Sequence, residues 1–248
     1  MPGPRRVDAP SAASSDGSGP VRAVARVLFA ILRMLVVAVV LAALVAGAVL
    51  VGPGLIDDLE DRTGPVGFED PPPAGDRDPD RVDPADPGES TYEAAGGTVS
   101  SAAVEDYVHH EVNDRRAERG LDPIEWDGTI ASVSRAHSAD MHERAYFEHT
   151  NPDGEDPMDR FTDVAGYCRA YGENIAMTHL ERPIAQPDGG TTRHETPEQL
   201  AAGLVDQWMN SPPHREAILE ASWDRGGVGI YLTEDGQVFA THNFCETP

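Results

Sequence analysis

The sequence Gly-Glu-Asn-Ile-Ala at 172–176, followed by Trp208 and by Ser-Pro-Pro-His-Arg at 211–215, decides the fold of this chain. The first block begins an apolar run that predicts a β-strand over about residues 174–177. Between the blocks, the segment Thr-Pro-Glu-Gln at 196–199 has the pattern of a helix N-terminus, because a capping Thr is followed by Pro at the first helical position.

The helix that follows this N-terminus carries an apolar stripe. Leu200, Leu204 and Trp208 recur every four residues, so we predict that all three are buried. The segment Ser-Pro-Pro at 211–213 ends this helix and begins a short one through Leu219, with Ser211 at the capping position.

Working outward, apolar residues at spacings of three and four predict two further helices upstream. The first is closed near Gly120, and the second begins at Asp127-Gly128. Their apolar positions are Val104, Tyr107, Val108 and Val112 in the first helix and Ile130, Val133, Ala136 and Met141 in the second. Downstream, strands over 228–232 and 238–244 flank a Glu-Asp-Gly turn at 234–236, which is a hairpin signal. This order of elements predicts an α+β fold with a small antiparallel sheet.

Further residues occur around the two blocks in a characteristic order. They are Val112-Asn113, Arg116, Gly120-Leu121, Ile124, Trp126, Ala136-His137-Ser138, Asp140-Met141, Tyr146-Phe147, His149 and Gly227-Val228-Gly229. The region from about 101 to 246 thereby resembles the bacterial and archaeal branch of the CAP superfamily. That superfamily also contains cysteine-rich secretory proteins, venom antigen 5 and plant pathogenesis-related proteins. The resemblance implies an α-β-α sandwich.

The resemblance also implies a central cleft that holds two His and two Glu. The positions that match are His149, Glu173 and His214, whereas the second Glu, expected about one turn after Trp208, has no acidic counterpart. Ser211 lies in the segment where that Glu is missing. Two neutral imidazoles and a carboxylate are a competent ligand set for Zn²⁺, with positions left for a water that the metal would activate for hydrolysis. His149 and His214 are therefore candidate metal ligands, and zinc is the one candidate cofactor.

Each cleft residue has a structural interpretation as well. A cleft that holds His and Glu is also what a satisfied buried polar network looks like. Glu173 is equally suited to a structural role, in which its carboxylate accepts hydrogen bonds from a neighbouring loop. Ser211 is suited to cap the short helix. His137 is interpreted as a packed helix residue. No G-x-S-x-G nucleophile motif occurs in the sequence, and neither Cys has a catalytic motif.

The composition excludes one class of partner. The chain has 248 residues, 43 of them acidic and 19 basic, and every basic residue is Arg, for a net charge of −24. Such a surface repels phosphates, so we exclude nucleic-acid binding by the globular part. An acidic balance of this size without Lys predicts adaptation to high salt, because molar salt screens the self-repulsion.

The N-terminal part predicts a membrane anchor. Residues 1–20 have the composition of a disordered tail, and residues 21–52 predict a single transmembrane helix that precedes the folded domain. Five Arg precede the core of the span and acidic residues follow it, which places the tail in the cytoplasm and the domain of 101–248 outside the cell. A signal peptide cleaved after the Ala-Gly-Ala at 46–48, and hence a secreted protein, remains the alternative. Residues 53–100 are predicted to be an extended acidic, Pro-rich linker that packs no core.

Cys168 and Cys245 both fall in the predicted external domain, where an even pair favours a disulfide over two buried thiols.

Three functions remain open at this point. The first is a surface module that binds an extracellular ligand or a surface protein through the His/Glu cleft, and the second is a zinc-assisted hydrolase or peptidase that uses the same residues. The third is a purely structural surface protein.

Overall fold

The computed structural model describes residue 68, residues 71–185 and residues 189–248. The predicted tail, the predicted membrane helix and the first part of the predicted linker lie outside these residues. Within the described part of the chain, no helix has the length and apolar character needed to cross a membrane.

Five helices and eight strands make up the described region. The helices are α1 (Ser101–Ala117), α2 (Gly128–Glu143), α3 (Pro157–Val164), α4 (Pro197–Asn210) and α5 (Pro212–Ile218). The strands are β1 (Thr91–Ala94), β2 (Gly97–Ser100), β3 (Glu125–Trp126), β4 (Ala170–His179), β5 (Ile184–Ala185), β6 (Thr191–Thr192), β7 (Arg225–Leu232) and β8 (Gln237–Glu246).

The central sheet has the strand order β3-β7-β8-β4. The pairs β7–β8 and β8–β4 are antiparallel, and β3 runs parallel to β7. Two separate hairpins, β1–β2 and β5–β6, complete the strands. The strand β4 therefore forms one edge of the sheet, and Glu173 within it pairs with Asn243 of β8.

The helices cover both faces of this sheet. Val228 and Ile230 of β7 pack in one core cluster with the apolar stripes of α1 and α4. Ile130 of α2 packs in a different cluster with Phe161 of α3 and Cys245. The predicted α-β-α sandwich is thus confirmed for the described residues.

The glycines at 227 and 229 set the distance between the sheet and α2. A Cβ atom at Gly227 would overlap the backbone of Ala131, and one at Gly229 would overlap the backbone of α2 one turn later. Ser134 Oγ and Ser138 Oγ of α2 donate hydrogen bonds of 2.9 Å and 2.8 Å to the carbonyl oxygens of these glycines. A helix can approach a strand this closely only where the side chains are absent.

The predicted helix starts are largely confirmed. Asp127 caps α2 by accepting from the N–H groups of Thr129 and Ile130, and Thr196 caps α4 by accepting from Gln199 N–H. The Ser211 side chain, in contrast, makes no capping hydrogen bond although it occupies the N-cap position of α5. Trp208 is fully buried as predicted, and its indole N–H donates to Ile175 O at 3.0 Å.

The linker prediction is wrong for residues 71–100, because these residues pack on the domain. Residues 91–100 form the β1–β2 hairpin, in which Val99 is fully buried. Residues 71–90, here called the strap, have too little apolar surface to form a core of their own. The strap is held by polar contacts instead: Arg77 forms 2.7 Å ion pairs with Glu105 and Asp106 of α1.

Arg77→Met is expected to lower the free energy of unfolding by about 2 kcal/mol, because it leaves the fully buried Glu105 with one cationic partner, Arg135, instead of two. Urea unfolding of the parent and the variant would measure the difference. Arg81→Met is the matched control, since Arg81 lies on the same strap and, among the described residues, its guanidinium makes only an exposed bond to Val164 O. Equal losses in the two variants would contradict a specific role for Arg77.

Candidate functional site

Glu173 is the centre of a polar cluster at the edge of the sheet. Its side chain is 1 % exposed and lies on the face of β4 that packs against α2. Its Oε2 accepts a 2.6 Å bond from Arg160 of α3, and its Oε1 lies 2.8 Å from His149 Nδ1. Both carboxylate oxygens are therefore engaged by other side chains of the same domain.

Arg160 joins three parts of this cluster. Besides the ion pair with Glu173, its Nη1 donates to the carbonyl oxygens of His149 and Glu155 at 2.8 and 3.1 Å. The guanidinium thus fixes the loop between α2 and α3 on the buried carboxylate. Arg160 was not predicted from the sequence, although the capping box of Asp156 and Asp159, with Pro157 at the first helical position, indicates the start of α3.

His137 is also part of the cluster. It is buried on α2, with Nε2 3.8 Å from Glu173 Oε1, and this nitrogen has no hydrogen-bond partner. On its other side, Nδ1 lies 3.3 Å from the hydroxyl of Tyr146, which donates to Asp140 at 2.6 Å. The interpretation of His137 as a packed helix residue accounts for its burial but not for its position beside Glu173.

Burial lowers the pKa of His137 to about 4, against the attraction of Glu173, which raises it. Because this value is below the ordinary 6.5, the neutral ring contributes stability that is complete above about pH 6.5 and is lost as the pH falls toward 4. An NMR titration of the ring nitrogens should therefore show His137 neutral at pH 5.5. Protonation with a midpoint near 6.5 in the folded protein would contradict this environment.

The other predicted cleft residues are placed differently. His149 is 48 % exposed and touches Glu173 directly. His214, on α5, is held through its backbone carbonyl, which accepts a 2.9 Å bond from the Asn174 side chain. Burial, followed by repulsion from His149, lowers the pKa of His214. The hydrogen bonds and ion pairs of the described residues join His149 to Glu173 but do not join His214 or Ser211 to it.

The donor set does not fit a zinc ion. A metal at Glu173 would have to displace Arg160 and His149, and Arg160 places a positive charge 2.6 Å from the carboxylate. Among the described residues, no group of three or more His, Cys, Asp and Glu is positioned to hold a metal. The arrangement of Glu173 is instead that of a buried carboxylate neutralised by its own domain.

A groove with a volume of about 1290 Å³ runs along the outer edge of β4. It is lined by residues that include Met177 and His179 of β4, Ile184 of β5, Gly203 of α4, and Ser211. Of the four predicted cleft residues, only Ser211 lines it. Local sequence patterns do not predict this groove, since β5 and β6 have only two residues each.

The predicted disulfide between Cys168 and Cys245 is confirmed, with a Cα–Cα separation of 5.5 Å. It joins the segment before β4 to the end of β8.

Comparison with known proteins identifies the family. The model of the CAP family, described as the cysteine-rich secretory protein family, matches residues 109–245, and the chain belongs to this family. The Bacillus subtilis protein YkwD is 30 % identical over 151 residues, which cover 61 % of this chain and 51 % of YkwD. The B. subtilis membrane protein YlbC is 31 % identical over 123 residues, 48 % of this chain and 30 % of YlbC. The chain thus spans about half of the length of YkwD and less than a third of the length of YlbC.

Solved structures give matches of the same kind. An extracellular SCP-domain protein from Bacillus anthracis is 28 % identical with a TM-score of 0.45, over 58 % of this chain and 40 % of that one. An outer surface protein from Borrelia burgdorferi is 21 % identical with a TM-score of 0.47, over 57 % of this chain and 90 % of that one.

Proposed function

We propose that this chain is a ligand-binding CAP module and not a metal-dependent hydrolase. The observation that carries the proposal is the open groove along β4, together with a Glu173 that lies outside this groove and whose two oxygens are already engaged. A concave, partly apolar surface with a few polar groups is the usual form of a binding site. In this account, Glu173, Arg160 and His149 hold the α2–α3 loop in place and do not touch the ligand.

We further propose that the module acts outside the cell, held at the membrane by the predicted helix of residues 21–52. The confirmed disulfide supports an oxidising compartment, because disulfides rarely persist in the cytosol. The name of YlbC as a membrane protein agrees with this location. The alternative is that the N-terminal segment is cleaved as a signal peptide and that the same domain is secreted.

The test is a thermal-shift screen of the full-length chain against panels of peptides, oligosaccharides and phospholipids. A ligand at one hundred times its Kd stabilises the folded state by about 2.7 kcal/mol. Ala202→Trp fills the groove from α4, and Thr162→Trp places the same side chain on the exposed surface of α3 as a control. We expect at least one compound to stabilise the parent and the control but not Ala202→Trp. Binding that is unaffected by Ala202→Trp, or no binding at all, would contradict the proposal.

A further inference from the structure

The backbone N–H and C=O groups along the outer edge of β4 are only partly hydrogen-bonded. Backbone groups of successive strand residues alternate between the two edges of a strand. Leu180 N–H donates to Gly236 O on the β8 side, whereas Ile175 O accepts from Trp208 on the α4 side. The odd-numbered residues of β4 therefore direct their backbone groups away from β8 and toward the groove.

Met177 lies in the gap along this edge. Before Met177 in the chain, the Trp208 indole N–H donates to Ile175 O. After it, Glu181 N–H donates to His194 O. Within the described residues, the N–H and C=O of Met177 have no partner on this edge. An unpaired donor and acceptor on an edge strand form a template for a further strand.

The side chains around this gap suit an extended chain with alternating apolar and polar residues. The Met177 side chain is 42 % exposed. The groove is lined by the apolar side chains of Pro183 and Ile184 and, from α4, by Ala202. An added strand presents alternate side chains to such walls.

The charged residues in the groove indicate the sign of the charge that a bound partner would carry. Arg182 and Arg193 are exposed and weakly engaged: Arg182 lies 3.3 Å from His179 Nε2 and 3.5 Å from Asp235, and Arg193 lies 3.4 Å from Glu181 O. The other ionisable groups that line the groove are His179, His194, Glu195 and Asp206. Asp206 is already paired with Arg115 at 3.1 Å. The two weakly engaged Arg side chains favour a ligand that places carboxylates beside them, although the chain as a whole carries a net charge of −24.

We propose that the groove binds an extended acidic peptide segment of a partner protein, which adds a strand to β4 at Met177 and places carboxylates at Arg182 and Arg193. This inference rests on the proposed function and names the ligand class for the same groove.

The test uses the full-length chain and fluorescein-labelled octapeptides in which Val alternates with Glu or with Lys. Fluorescence anisotropy should show that the Glu peptide binds at least about tenfold more tightly than the Lys peptide. Two further Glu peptides carry N-methyl groups on every Val or on every Glu, which removes the N–H donors of one edge only. We expect one of these to bind like the parent peptide and the other to lose binding at least tenfold.

The charge requirement is tested on the protein. Arg182→Glu/Arg193→Glu should reverse the preference from the Glu peptide to the Lys peptide. The matched control, Arg119→Glu/Arg169→Glu, makes the same charge change at exposed positions outside the groove and should leave the preference intact. Two outcomes would overturn the peptide assignment. One is equal binding of both N-methylated peptides, and the other is an unchanged charge preference in Arg182→Glu/Arg193→Glu.

Other outcomes separate this inference from the proposed function. If only an oligosaccharide or a phospholipid binds, and Ala202→Trp abolishes that binding, the peptide inference is wrong and the binding module stands. If Ala202→Trp affects the binding of no compound, both the peptide inference and the proposed function are wrong.

Discussion

Arg160→Met is expected to lower the free energy of unfolding by about 4 kcal/mol, because it leaves the buried Glu173 carboxylate without its cationic partner. His149 is half exposed and cannot replace the two bonds that Arg160 also donates to the loop. Denaturant unfolding at neutral pH would measure the loss. We expect the α2–α3 loop to become more accessible to proteolysis in the same variant.

A double variant distinguishes the lost ion pair from a general packing defect. Arg160→Met/Glu173→Gln removes the buried charge as well, and it should be clearly more stable than Arg160→Met alone. Arg144→Met serves as the control, since Arg144 pairs with Asp140 and Asp153 at the surface and its loss should leave the unfolding midpoint nearly unchanged. A double variant no more stable than Arg160→Met would show that the ion pair is not the source of the loss.

Cys168→Ala/Cys245→Ala is expected to lower the free energy of unfolding by about 4 kcal/mol, because the disulfide closes a loop with a sequence separation of 77. The open chain gains conformational freedom in the unfolded state, and the small side chains leave the cluster of Ile130, Val133 and Phe161 largely packed. Denaturant unfolding of the two proteins would give the difference.

The reduced parent provides a check on the disulfide itself. Its midpoint should fall close to that of the double Ala variant, while the variant should not respond to reductant. Mass analysis of the unreduced parent should show no free thiol. Identical midpoints for the parent and the variant would mean that the cross-link does not constrain the unfolded chain.

The sequence predicted best the elements that local chemistry determines. Thr196 and Asp127 cap helices whether or not the rest of the fold is known, because each accepts from N–H groups two or three residues along the chain. Gly227 and Gly229 were noted as part of a family pattern. Their physical role, the close approach of α2 to β7, required the sheet to be known.

The strap was missed because its stabilising contacts are long-range. Its Asp and Pro composition is that of a linker, and nothing near Arg77 in sequence indicates that Glu105 and Asp106 will be its partners. The same reason explains Arg160, whose partner Glu173 lies in a different element. Charge pairs between distant segments have no sequence periodicity by which they could be recognised.

The candidate site was predicted in part. The family resemblance pointed to His149 and Glu173, which are in contact, but it gave no means to foresee that Arg160 occupies the second carboxylate oxygen. The groove was not foreseen, because it depends on which edge of β4 remains unpaired, and strand order is a property of the assembled sheet.

We propose that Glu173 belongs to a structural network and that His149 and His214 do not form a metal site with it. The most direct measurement is the thermal midpoint of the full-length chain as Zn²⁺ is added, beside His149→Ala/His214→Ala. A bound metal would raise the midpoint with concentration, by linkage. The account predicts no rise for either protein. A zinc-dependent rise in the parent that the double variant lacks would contradict it and would favour the metal-assisted hydrolase.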